Sequence, residues 1–425
     1  MAKKNLWYWG INHHVRSTPP DPRNDFLPHL VGAGLNWSWK HITINREGAH
    51  GITENGDLYG WGNDCDYAEV ATKVPPYYKT VWFCVSLTGK GIKECRPGQP
   101  GYDYESGFIK NGRIVRPEEK WKDVSRGIGH VAGITESGRL YSWGINGEGV
   151  LGRGRKIPPP SRLKPGQVYS YKTVRFNPVE LMIGGNDWSQ VKCGSGFSIA
   201  LKEDGSVWYW PTNGGRGCSD CFKFPKPLCK GQFCGPKKIA TDFKKIACTF
   251  DSGSIYGLKK DTTICKFIRS FGSEAEASVL TQLGDGWKDV TCNFNDGGGG
   301  IKEDGTLWTW GPNYSGELGI NKSKNEVVYS SSPVQTTLGG NDWKSITTGN
   351  NSNTKYAIKN NGSLWCWGGN STNIGIGGLN FEVREPIQNI KDSVGWKMVS
   401  TDVLGTLAIR DVKFEPTTTV PPNNA

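Results

Sequence analysis

The chain has 425 residues, 58 of them glycine and 18 tryptophan, with 36% hydrophobic residues and a formal charge of +11. Apolar mass held in a few large rings among many glycines argues against helical packing and for short strands joined by many turns. The opening MAKKNLWYWG has a basic start without an apolar core or cleavage site, and no stretch approaches the ~18 apolar residues of a membrane span, so neither a secretory leader nor membrane insertion is expected.

A chain folded in a cytosol would carry its 12 cysteines as thiols at first. The positive charge, spread over the whole length, is read as a solvated basic surface and not as a nucleic-acid face.

Taken in order, the first element is a short strand at 5–10, NLWYWG. WKHITINREGAHGITENGDLYGWG follows from Trp39, and its pattern then returns along the chain. The next copy, YKTVWFCVSLTGKGIKE from Tyr78, is interrupted by CRPGQPGYDYES before GFIKNGRIVR resumes. The fullest copy is WKDVSRGIGHVAGITESGRLYSWGINGEGVLGRG from Trp121. A basic, proline-rich insertion occupies 152–187 and ends in NPVELMIGGND.

WSQVKCGSGFSIALKEDGSVWYW starts at Trp188 and is followed by a cysteine-containing insertion at 211–242. FKKIACTFDSGSIYGLKKDTTICKF from Phe243 is a decayed copy with Asp261-Thr262 where others have a residue followed by glycine. Further copies begin at Trp287 and Trp343, separated by SPVQTTLGGNDW, a near duplicate of 177–188. The opening half of a last copy, WKMVSTDVLGTLAIRD at 396–411, lacks its closing strand, and a Thr/Pro/Asn tail runs from 412 to 425.

WKDV predicts a strand with one buried face. The tetrads ENGD, ESGR, EDGS, EDGT and NNGS predict type I′ hairpin turns with positive φ. The strand after each turn carries aromatic rings spaced by two, as in LWTWG at 307–311, and recurrence in register marks these rings as core between blades. With a further strand before the next opening residue, each unit has four strands. The terminal halves complement each other, so 5–10 should close a ring with 396–411 and hide otherwise unpaired sheet edges.

The expected fold is therefore all-β: one β-propeller domain over 1–411 with seven or eight four-stranded blades, eight by repeat count. HVAGITESGRLYSWGINGEGVLG and GTLWTWGPNYSGELG resemble the regulator of chromosome condensation repeat, whose motif runs small-residue strand, polar-Gly turn, aromatic-Trp-Gly strand and Gly-x-Leu-Gly tail. The resemblance covers 5–411 and implies a propeller, typically of seven blades. It implies no single function, since this scaffold serves nucleotide exchange, light sensing, enzyme inhibition and protein docking. The Gly-Trp-Arg-His-Thr motif of the plant UV-B photoreceptor is absent, and no exchange-factor residue can be placed by motif.

Cys218, Cys221, Cys229 and Cys234, spaced C-x2-C, then seven residues, then C-x4-C, form a candidate structural Zn²⁺ site, with late disulfides or free thiols as the other readings. Cys84, Cys193, Cys248, Cys292 and Cys366 read as small buried hydrophobes. His13-His14 reads as a surface turn, Gly127-Ile128-Gly129 as packing glycines, and His130 as a hydrogen bond within its blade. No nucleophile elbow, phosphate loop or dinucleotide fingerprint is present. A polysaccharide-cleaving enzyme would want paired carboxylates in a groove, whereas Glu203-Asp204 and Glu303-Asp304 belong to hairpin turns.

The long segments after the strand that follows each turn should emerge on one face, and a rigid scaffold with variable loops suits binding. The expectation is a non-enzymatic structural or adhesion protein of a tailed bacteriophage virion, made in the host cytoplasm, binding other virion proteins or a host surface receptor. The alternative is a cytoplasmic regulator, of exchange-factor or inhibitor type, that holds a globular protein.

Overall fold

A computed structural model of the chain describes residues 4–10, 29–31, 38–45, 48–62, 78–80, 82–86, 92–95, 102–103, 113–115, 118–127, 129–145, 151–152, 174–181, 183–194, 196–211, 236–248, 255–267, 279–292, 297–349, 353–369, 382–389, 393–402 and 405–411. These residues form eight antiparallel sheets, seven of which follow the repeat. In the Trp121 blade the order is Trp121–Arg126, His130–Thr135, Leu140–Ile145 and Val174–Glu180, each strand paired with the next. The blades opened by Trp188, Phe243, Trp287 and Trp343 repeat that order.

The last blade is assembled from both ends of the chain. Lys4–Gly10 pairs along its whole length with Gly405–Asp411, from Lys4 opposite Asp411 to Gly10 opposite Gly405. Its outer neighbour is His29–Val31 and its inner strand is Trp396–Asp402. Each innermost strand packs beside the next, and that of Trp396 packs beside that of Trp39.

The unit counted from Tyr78 makes no blade of its own. Tyr78–Thr80 and Arg113–Val115 extend the Trp39 sheet, with Arg113–Val115 in the fourth-strand place beside Leu58–Gly62. Trp82–Ser86, Ile92–Cys95 and Tyr102–Asp103 form a separate small sheet. The sequence departs from the repeat here through the interruption CRPGQPGYDYES, of which Tyr102–Asp103 pairs beside Trp82–Ser86. The repeat count of eight is thereby corrected to seven sheets of repeat order among the described residues.

The hairpin turns also differ from expectation. At 53–57 the Gly56 N–H donates to Thr53 O (2.9 Å), and Thr53 N–H donates to Asp57 O (2.9 Å). Only Gly56 has positive φ (81°), and the same holds at Gly138, Gly205, Gly305 and Gly362. This is a type I turn closed by a left-handed glycine, the three-residue hairpin loop, and not type I′. In the decayed Phe243 copy the left-handed place falls to Thr262 at φ 71°, a β-branched residue in a region it rarely adopts.

The ring pairs divide their work. Trp9, Trp210, Trp310 and Trp367 are almost wholly buried, whereas Trp7, Trp208, Trp308 and Trp365 are half-buried. The inner rings join blades: Trp9 stands edge-on to Tyr356 with centroids 5.9 Å apart, and its indole N–H donates to the Tyr356 hydroxyl (3.0 Å). The outer rings flank a cation from their own blade. Lys302 Nζ lies 5.2 Å from the Trp287 centroid and 5.0 Å from that of Trp308, and Lys202, Lys359 and Arg410 repeat the arrangement.

Candidate functional site

The seven opening strands share one irregularity. Each has a register shift between the opening aromatic and the residue two places on, from Trp39/His41 to Trp396/Met398. A bulge at this place re-aims the chain. Strict alternation from the opening ring is broken, so Asp123 and Val124 are both buried although they are adjacent.

The re-aimed side chains stitch blade to blade. Asp123 accepts the Val191 N–H of the next blade (2.8 Å), Gln190 accepts the Ile246 N–H (2.8 Å) and Asp289 accepts the Ile346 N–H (3.3 Å). The rule is constant: the second residue after one opening aromatic accepts from the third residue after the next. His41 and Lys245 occupy the same position with other chemistry. His41 Nε2 lies 3.1 Å from Val124 O and 3.2 Å from Asp123 Oδ1, and Lys245 pairs with Asp289. Burial holds the His41 pKa below its ordinary value against the pull of Asp123, so the ring is neutral at pH 7 and Nε2–H donates to Val124 O.

Two residues further along, Ser125, Thr291 and Ser400 begin a second level. Ser125 Oγ accepts the Cys193 N–H (3.0 Å), Ser400 Oγ accepts the Ile44 N–H (3.2 Å), and the Thr291 and Thr348 hydroxyls meet at 2.9 Å. These levels surround an axial cavity of about 240 Å³ to which all seven opening strands contribute. Lys192 enters it without an ion pair to any described residue. Cys193 lines it too, but burial pushes its thiol up to about 11, so it stands there as a thiol and not as a nucleophilic thiolate.

The sequence candidates are distributed elsewhere. Cys218, Cys221, Cys229, Cys234 and the His13-His14 pair lie outside the described residues. Cys193, Cys292 and Cys366 are buried, Cys248 is half-buried, and Cys84 lies in a strand. His130 is buried, and its Nε2 meets Ser198 Oγ of the following blade at 3.0 Å, so this bond runs between blades. Asp204 and Asp304 cap their own turns, accepting the N–H of Ser206 (2.7 Å) and Thr306 (2.9 Å); the hydroxyls of Ser206 and Thr306, and then these N–H groups, lower the two carboxyl pKa values. Sequence reasoning missed the axial polar levels. Their signal was a column of polar residues two places after the opening aromatic, at His41, Asp123, Gln190, Lys245, Asp289 and Ser345.

One connection after a third strand is described from end to end, 313–328 in the Trp287 blade. It is built on Asn313, whose amide donates to Lys322 O (2.9 Å) and Val327 O (3.0 Å) while its Oδ1 accepts the Leu318 N–H (3.1 Å). Asn313 N–H also donates to Val328 O (2.9 Å), and this closure gathers Tyr314, Val328 and Tyr329, each about half exposed, at one end of the blade.

The regulator of chromosome condensation (RCC1) repeat pattern matches residues 137–201 and 304–354, which include the Gly138 and Gly305 turns and the Trp310 strand. These two segments are RCC1-type repeats. The Arabidopsis thaliana ultraviolet-B receptor UVR8 is 25% identical over 244 residues, covering 51% of this chain and 52% of the receptor. The chain spans about half or less of the length of the first sequence relatives it matches. Among solved structures, Prp20p of Saccharomyces cerevisiae superposes with a TM-score of 0.64 at 13% identity over 96% of this chain and 92% of that one, and human WBSCR16 with 0.61 at 17% identity over 96% and 99%. The structural likenesses show the RCC1-type propeller fold. The virion role expected from the sequence draws no support from them, since the relatives are cellular proteins.

Proposed function

We propose that this RCC1-type propeller is a non-catalytic binding scaffold that holds a globular protein partner through the connections leaving its third strands. The observation that carries the reading is the 313–328 connection. A self-satisfied polar network on Asn313 fixes the loop, while Tyr314, Val328 and Tyr329 turn outward. Exposed apolar residues scattered singly need no explanation, but a gathered set on an ordered platform has the composition of an interface centre. Lys322 and Arg384 flank it, each paired with a carboxylate, as suits a polar rim. The solved structure of Prp20p was described together with its binding to Gsp1p and histones, and a second structure has Kap60 bound to the yeast protein, which supports protein binding as the use of this scaffold.

The test is affinity capture with the intact chain and with Tyr314→Ser/Val328→Ser/Tyr329→Ser. The intact chain should retain a one-to-one protein complex that the triple variant loses while keeping its unfolding temperature. Recovery of capsid or tail proteins would return the function to the virion reading, and equal capture by both chains would reject this surface.

A further inference from the structure

We propose that the axial cavity is a binding site for a small phosphate-class oxyanion, held by Lys192 and by hydroxyl groups on the facing strands. The assignment rests on how hydrogen-bonding capacity is spent around the axis. A serine or threonine hydroxyl has one proton to give and two lone pairs to receive. Ser125 and Ser400 each spend a lone pair on a backbone N–H of the next blade, at 3.0 and 3.2 Å; Ser125 also bonds the Cys193 thiol, a weak acceptor, while the Ser400 hydroxyl keeps its proton to give. Thr291 and Thr348 share one proton between them at 2.9 Å, so that pair also keeps one to offer. Acceptors are engaged and donors are left over.

The carboxylates do not reverse this balance. Asp123 has its two oxygens on the N–H groups of Val124 (3.0 Å) and Val191 (2.8 Å), and Asp289 has its own on Val290 (2.8 Å), Ile346 (3.3 Å) and Lys245. Both belong to the other polar level, two residues or roughly 6.6 Å away along the strand. At the hydroxyl level the only charged residue lining the cavity is Lys192, free of any ion pair among the described residues. A cation with convergent donors on several rigid strands is the arrangement that charge-assisted hydrogen bonding to an oxyanion requires. The 240 Å³ of space is about eight times the ~30 Å³ share of a water molecule, enough for phosphate with part of its hydration. A tetrahedral ion suits the site better than a planar carboxylate, because the donors come from opposite sides of the axis.

The experiment is titration of the purified full chain with inorganic phosphate at constant ionic strength, read by ³¹P line broadening and by the unfolding temperature, with sodium chloride and acetate as controls. Phosphate should raise the unfolding temperature where chloride and acetate do not. Lys192→Met should weaken the phosphate affinity at least tenfold, Ser125→Ala/Ser400→Ala a few-fold, and Lys238→Met, on an exposed strand edge, not at all. No phosphate signal above chloride would overturn the proposal, as would acetate binding in preference to phosphate. Loss in Lys238→Met equal to that in Lys192→Met would overturn it as well. If Lys192→Met fails to fold, Lys192→Gln serves as the second variant under the same expectations.

Discussion

Removal of the Asp123 carboxylate tests the stitching of blade to blade. In Asp123→Ala the Val191 N–H loses its 2.8 Å acceptor and the Val124 N–H its 3.0 Å acceptor, at a residue only 7% exposed. Water cannot readily take over at such a site, and one orphaned buried donor costs about 1–3 kcal/mol, with bonds to a charged acceptor at the upper end. The expected loss is about 3 kcal/mol. Unfolding entropy near ~2.1 cal/mol/K per residue over 425 residues is about 0.9 kcal/mol/K, so the midpoint should fall by about 3 °C in calorimetry at pH 7 if the ring melts as one unit. Gln190→Ala removes a neutral acceptor from the Ile246 N–H and should cost about 1 kcal/mol, or about 1 °C. A midpoint for Asp123→Ala within half a degree of the parent, or a larger loss in Gln190→Ala, would refute the view that charged acceptors on the opening strands hold adjacent blades together.

Gly305→Ala should destabilise by well over 1 kcal/mol in denaturant titration, because Gly305 has φ +86° and a Cβ there would lie 1.9 Å from Asn341 O; Gly284→Ala, at φ +82° with open space around it, should cost only about 1 kcal/mol of backbone strain. Trp310→Ala removes a ring that is 2% exposed and should cost about 3–5 kcal/mol, while the half-buried Trp308→Ala should cost clearly less, a contrast readable from denaturation midpoints. Lys355 is wholly buried with its Nζ unpartnered, and burial lowers its pKa to about 8 against the partial relief of Glu317. The unfolded lysine holds its proton to ~10.4 while the folded one releases it near 8, so stability should rise with pH across that window, by at most about 3 kcal/mol, and the rise should vanish in Lys355→Met. The thiols of Cys193 and Cys366, both buried with raised pKa values, should stay unlabelled by iodoacetamide at pH 8 until the protein unfolds.

The repeat was legible because each copy must bury the same faces. A tryptophan at 39, 121, 188, 287, 343 or 396 opens a strand in a fixed relation to a glycine turn, and the periodicity survives where single residues drift. The terminal halves were legible for the same reason, since neither WKMVSTDVLGTLAIRD nor NLWYWG has its partner nearby in the chain. The Tyr78 unit was misread because its strand residues satisfy the local pattern equally well, and only pairing shows that Arg113–Val115 belongs beside Leu58–Gly62. Turn type was misread because Asn-Gly and Asp-Gly suit both a two-residue and a three-residue loop, and the register of Thr53 with Asp57 decides between them.

The axial site was hidden by a subtler feature. Period-two reasoning assigns WKDV one buried face, and it fails once a bulge inserts a residue between the ring and the polar side chain. A bulge leaves little local signature: Lys122, Ser189, Lys244, Lys288, Lys344 and Lys397 at the extra position are ordinary polar residues. What distinguishes the position after them is comparison across copies. Chemistry there is divided between acceptors such as Asp123, Gln190 and Asp289 and donors such as His41 and Lys245, and the donor Lys245 stands directly before the acceptor Asp289. A column that merely faced solvent would have no reason to place a cation in one blade beside a carboxylate in the next. Charge order read around the ring, and not along the chain, is therefore the trait by which a repeat sequence discloses a polar axis.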